Sequence, residues 1–116
     1  MTQRKIKFRA WETISQSMMS WKELLPELSR ILASTKQKNV ILMQYTGVKD
    51  RKGKEIYEGD ILKLIKSPYA GRLHVVEFFE GAFCLCDVMD TRLHFNLAQW
   101  PGEIIGHIHD NPELLK

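Results

Sequence analysis

The sequence predicts an all-β protein, a small barrel with one helix inserted after its first strand. Three observations predict it. About six short runs alternate apolar with polar residues or cluster β-branched and aromatic ones. Corners rich in Gly and Asp separate those runs. One stretch alone, residues 20–36, changes to a helical period.

Residues 4–11, RKIKFRAW, alternate: Ile6, Phe8 and Ala10 face one side, and Lys5, Lys7 and Arg9 the other. This is a half-buried strand with a basic outer face. In SWKELLPELSRILASTK, residues 20–36, the residues Trp21, Leu24, Leu25, Leu28, Ile31 and Leu32 recur at three and four. Ser20 followed by Glu23 is a capping box that starts a helix. Pro26 removes a backbone donor inside that stretch, so the helix either kinks there or begins there with Pro26 in its first turn. The stripe serves as a core face or, alternatively, as the contact of a homo-oligomer.

Residues 40–46, VILMQYT, read as a buried strand ended by Gly47. Asp50-Arg51-Lys52-Gly53 places Asp at the first and Gly at the fourth position of a type I turn. Tyr57-Glu58-Gly59-Asp60 is a second corner, after which residues 61–66 alternate again. Ser67-Pro68-Tyr69-Ala70-Gly71 is a loop by composition. Residues 72–79 and 82–88 form a hairpin about Glu80-Gly81, and residues 91–99 add a strand that Trp100-Pro101-Gly102 breaks. Residues 103–109 are the last strand, and Asn111-Pro112 starts one helical turn.

A length of 116 residues fits one domain, residues 1–116, large enough to bury a core without disulfide or metal. No apolar run approaches the roughly 18 residues that span a membrane, and the basic N-terminus lacks a signal-peptide core. The expectation is a cytoplasmic protein without membrane contact. Charge is uneven: residues 1–66 carry 14 Lys+Arg against 7 Asp+Glu, and residues 67–116 carry 3 against 7. A basic lobe suits a nucleic acid or an acidic protein partner.

The basic cluster is densest at one hairpin tip, where Lys49, Arg51, Lys52 and Lys54 meet between Tyr45 and Tyr57. Cations there can follow a phosphate backbone, and the tyrosines can stack bases. The plainer account is a solvated hairpin end, and the interleaved Asp50, Glu55, Glu58 and Asp60 dilute the patch. A phosphate-binding loop is not expected, because Gly53-Lys54 is followed by Glu55 where Ser or Thr is needed. Cys84-Leu-Cys86 and His107-Ile-His109 each share a strand face, so adjacent strands would bring four zinc donors together. Their spacing matches no zinc ribbon or knuckle, and the expectation is no metal and no cofactor. Neither cysteine has a neighbour that would activate it, and no pair of acids is spaced for general acid–base work, so an enzyme is not expected.

RKIKFRAWE (4–12), ILMQYTGVKDRKGKEIYEGDIL (41–62), VVEFFEGAFCL (75–85) and EIIGHIHDNPELL (103–115) resemble the YopX family of phages and prophages. The second block is close to the family's YTGLKDKNGKEIYEGDIV, with Val48, Arg51 and Lys52 departing from it. Residues 13–39 are where family members vary most. The resemblance implies an all-β fold around a Src-homology-3-like barrel with extra strands, a phage or prophage origin, and no catalytic residue or cofactor. The reading is therefore a small binding module for a protein or nucleic acid. Its candidate contact residues are Lys5, Lys7, Arg9, Lys49, Arg51, Lys52, Lys54 and Tyr57. A nucleic-acid-binding protein and a homo-oligomeric assembly protein built through the 20–36 helix are the alternatives.

Overall fold

The computed structural model describes residues 5–33, 39–65, 70–98 and 102–116. The expected loop at Ser67–Tyr69, the break at Trp100-Pro101, and the ends of the first strand and of the helix (Arg4, residues 34–36) lie outside them. The protein is mainly β, with two antiparallel sheets. The first has the order β2-β1-β3-β4, where β1 is Phe8–Glu12, β2 Ser17–Met19, β3 Val40–Lys49 and β4 Glu55–Tyr57. The second has the order β8-β7-β6-β5-β9 and curls into a half-barrel; β5 is Asp60–Leu64, β6 Leu73–Phe79, β7 Ala82–Asp87, β8 His94–Asn96 and β9 Gly102–His107.

One strand, β2, escapes the sequence, and β4 is implied there only as the second arm of the Asp50–Gly53 hairpin, without bounds. β2 is three residues long, and so is β4; neither gives alternation enough to read. Both are drawn into the sheet by neighbours, β2 through Ala10↔Met19 and β4 through Tyr45↔Tyr57. β3 runs past the expected end at Gly47 to Lys49, because Gly47 takes φ +87° inside an irregularity of the β3–β4 ladder and the strand resumes beyond it.

The inserted helix is kinked. Ser20 accepts the Glu23 N–H and the Glu23 carboxylate accepts the Ser20 N–H, so the capping box starts α1, Trp21–Leu24. At Pro26 the chain tightens into a 3₁₀ turn, Leu25–Glu27, and continues as α2, Leu28–Ala33. Leu24 and Ile31 are buried against Ala10, with Phe8, Met19, Trp21, Leu28, Val40 and Leu42 around them. The stripe thus packs on the first sheet, and only Leu25 and Leu32 of it face solvent.

The second core lies inside the half-barrel, where Leu62, Leu64, Val76, Leu85 and Leu97 meet Ile56 of β4. The Tyr57–Asp60 corner joins the two sheets. Gly59 sits at φ +84°, its N–H bonded to the Val76 carbonyl and its own carbonyl accepting from Ile108. A Cβ at that position would lie 3.3 Å from Met43 Sδ, so Gly meets both the backbone and the packing demand. The chain closes with a 3₁₀ turn, Pro112–Leu115; Asn111 precedes it, but its side chain accepts from the His107 N–H rather than capping the turn.

Candidate partner-binding hairpin

The tip between β3 and β4 is built on Asp50. Gly53 closes the turn by donating to the Asp50 carbonyl at 2.9 Å and adopts φ +83°. The Asp50 side chain accepts from the N–H groups of Lys52 (2.9 Å) and Lys54 (2.8 Å) through one oxygen, and of Ile104 on β9 (3.1 Å) through the other. Burial works to raise this carboxyl, but the three N–H donors outweigh it and hold it below the usual aspartate value. A phosphate would need those amides; a carboxylate already occupies them. The tip therefore offers anions its side chains and not its backbone.

Those side chains are exposed. Lys49, Arg51, Lys52 and Lys54 all project into solvent. Arg51 reaches Glu103 only at 3.9 Å, while its N–H bonds the Gly102 carbonyl and fixes the tip against β9. Among the described residues no carboxylate lies within ion-pair distance of Lys49, Lys52 or Lys54.

The remaining candidates are placed differently. Lys5 is exposed ahead of β1. Lys7 is half-buried and bonds Glu55 at 2.8 Å, which raises its pKa. Arg9, on the same strand face, bonds the Asp60 carboxylate at 2.8 Å and the Glu58 carbonyl at 3.1 Å, and lies 5.0 Å over the Tyr57 ring. Lys7 and Arg9 of the basic face are thus neutralised by Glu55 of β4 and Asp60 of the Tyr57–Asp60 corner rather than presented to a partner. Tyr57 is buried, its ring 5.5 Å from that of Tyr45, also buried, so neither is a platform for bases. Burial lifts the Tyr57 phenol above its ordinary value.

Asp60 is sealed in the corner, accepting the Tyr57 N–H at 2.8 Å as well as Arg9. Burial pushes its carboxyl up against the pull of Arg9. Glu58 accepts the Gln44 N–H at 2.8 Å. Beside the corner a cleft of about 210 Å³ is lined by Arg9, Lys54, Glu55, Asp60 and the 104–107 segment of β9.

Sequence reading missed two groupings. Trp11 stacks on His109 (5.4 Å between centroids, 13°) and meets His107 edge-on at 5.5 Å. Burial first, then the Arg9 charge, keeps both imidazoles below the ordinary histidine value. The second grouping is on β6–β8. Cys84 and Cys86 do not meet His107 and His109, in line with the expectation against a metal site there, because β6 and β5 stand between β7 and β9. β8 is the neighbour of β7, and it brings His94 opposite Cys86. Only the register between strands distant in sequence could have revealed either grouping.

The sequence matches the family model described as YopX protein over residues 7–116. Among solved structures, the crystal structure of protein EF1440 from Enterococcus faecalis is similar with a TM-score of 0.66 and 23% identity, covering 98% of this chain and 100% of that one. The crystal structure of protein yopX from Bacillus subtilis is similar with a TM-score of 0.62 and 19% identity, covering 98% of each chain. A comparison with curated proteins gives no match. At these identities the two structures show a shared fold. No helix among the described residues is long and apolar enough to cross a membrane.

Proposed function

The chain belongs to the YopX family, and we propose that it is a non-catalytic binding module whose basic β3–β4 tip contacts an anionic partner, a nucleic-acid backbone. One observation carries this reading: Lys49, Lys52 and Lys54 stand exposed and, among the described residues, without a paired acid on a tip that Asp50 ties to β9. A tip fixed in this way loses little conformational entropy on binding. Asp50, Glu58 and Asp60 support the non-catalytic part, since each is engaged by backbone N–H groups or by Arg9. The buried tyrosines favour contact with phosphates over reading of bases. The phage or prophage origin and a place in the host cytoplasm belong to the same proposal and rest on the motif resemblance.

The test is fluorescence anisotropy with labelled duplex DNA, single-stranded DNA and RNA. If the tip cations touch about four phosphates, affinity falls roughly a hundredfold between about 50 and about 200 mM salt, with little sequence preference. The K49E/K52E/K54E variant then loses binding while keeping its thermal midpoint. If all three nucleic acids fail to bind at low salt, the nucleic-acid reading is wrong, and an acidic protein surface takes its place as the partner to seek.

A further inference from the structure

Strand β7 carries Cys84-Leu85-Cys86. Alternation sends Leu85 into the half-barrel core and both thiols to the other face of the sheet. The ladder sets Glu77 of β6 directly opposite Cys84, and His94 of β8 directly opposite Cys86. Residues paired in this way share a face, so three adjacent strands present two thiols, an imidazole and a carboxylate on one side. One donor atom each from Glu77, Cys86 and His94 lie within 4.8 Å of one another. Neither cysteine is in a disulfide.

We propose that Glu77, Cys86 and His94, with Cys84 next along the same face, form a binding site for a zinc-class divalent cation. The donor set selects the ion: thiolate sulfur and imidazole nitrogen suit zinc, whereas magnesium and calcium require oxygen ligands throughout. In a tetrahedral zinc site the donors stand roughly 3.3–3.8 Å apart, given metal–ligand lengths of about 2.0–2.3 Å. Glu77, Cys86 and His94 start within 4.8 Å of one another and close to that size by side-chain rotation, while Cys84 stands outside that group and turns in along the same face as the fourth donor. On binding, each cysteine gives its S–H proton to solvent and ligates as thiolate, and His94 ligates through the lone pair of its neutral ring. No electron is transferred.

The surroundings agree with this assignment. The thiols now make only weak contacts to backbone carbonyls, Cys84 to Glu77 at 3.7 Å and Cys86 to Thr91 at 3.7 Å, which a metal replaces. Phe79 stacks on His94 at 4.3 Å and 9° and holds the plane of its ring. Burial, with the Glu77 charge acting the same way, raises both thiols above the ordinary cysteine value; the Glu77 carboxylate favours a cation placed among them. The consequence is structural: β8 has three residues and stands at the sheet edge, and the ion would fasten it to β7 and β6.

Titrating chelator-stripped protein with zinc chloride by calorimetry tests the site, with cobalt absorption as the second readout. The expected result is one zinc per chain with Kd below about 1 μM, a thiolate-to-cobalt charge-transfer band, and a thermal midpoint that rises with zinc. His94→Ala, on the half-buried edge strand, weakens zinc binding at least about a hundredfold and abolishes the thermal shift, while His109→Ala binds as the parent does. Cys86→Ser weakens the charge-transfer band and the Cys84→Ser, Cys86→Ser double variant removes it; where their buried positions lower stability, His94→Ala and Glu77→Gln decide the matter. Absence of saturable zinc binding, affinity unchanged by His94→Ala, or a cobalt spectrum without a thiolate band overturns the proposal.

Discussion

The carboxylate of Asp50 accepts the backbone N–H of Ile104 at 3.1 Å, across 54 positions of sequence. The contact makes the tip turn part of the half-barrel, because the same side chain also holds the N–H groups of Lys52 and Lys54. Three charge-assisted bonds end on one side chain, so its loss is felt at the turn and at β9 together. Asp50→Ala is expected to cost about 3 kcal/mol of unfolding free energy in urea, with Asp50→Asn costing less because one acceptor oxygen remains. The acid limb gives a second readout. The folded pKa lies below 3.8, so this stabilisation is present above that value and is lost as the pH falls through the lower, folded one. The Asn variant lacks that part of the acid transition; an unchanged acid limb would show that Asp50 does not carry it.

Arg9 and Asp60 form the other long-range tie, 2.8 Å apart with side chains 14% and 3% exposed. Removing the cation strands a buried carboxylate, so Arg9→Met is expected to cost about 3 kcal/mol. Lysine does not restore it, since one ammonium cannot bond Asp60 and the Glu58 carbonyl while lying flat over Tyr57. In a double-mutant cycle with Asp60→Asn the two losses overlap, leaving a coupling of at least about 1 kcal/mol. Additive losses would mean that each residue acts through other neighbours.

Local chemistry was legible in the sequence, and pairing across distance was not. Alternation identified β6, β7 and β9, and the Asp50–Gly53 spacing named the turn that forms. The capping box placed the start of α1, and Pro26 marked the kink. Periodicity gives a residue its face, but the partner across the sheet depends on strand order, which tertiary packing decides. Hence Lys7 and Arg9 read as an exposed basic face when Glu55 and Asp60 neutralise them. For the same reason spacing alone did not single out His94 as the imidazole opposite Cys86.

Leu24 and Leu25 are adjacent and opposite in fate, 0% and 52% exposed. Pro26 leaves the stripe in register, so Leu24 fills the space above Ala10 while Leu25 points outward. Leu24→Ala is expected to cost about 3 kcal/mol by transfer and cavity terms, and Leu25→Ala about 0.5 kcal/mol or less. Self-association through this helix would have to use Leu25 and Leu32. Light scattering that gives a monomer mass at high concentration rejects that arrangement, and a dimer dispersed by a Leu25→Ser, Leu32→Ser double variant supports it.

His74 is fully buried, its Nε2 3.2 Å from the Asp87 carboxylate, which also binds Arg72 at 2.8 Å. Burial lowers the pKa of His74 below 6.5 and outweighs the attraction of Asp87. His107 and His109 shift in the same direction, again with burial as the leading cause. The unfolded chain therefore takes up protons before the folded one does. The stabilisation is complete above about pH 6.5 and is lost as the pH falls through the folded values. Urea midpoints are expected to decline from about pH 7.5 to about pH 5.5, ahead of any contribution from Asp50. His74→Gln flattens part of that decline and His109→Gln another part. If midpoints stay level across this interval in the parent protein, the imidazoles are not held neutral by the fold.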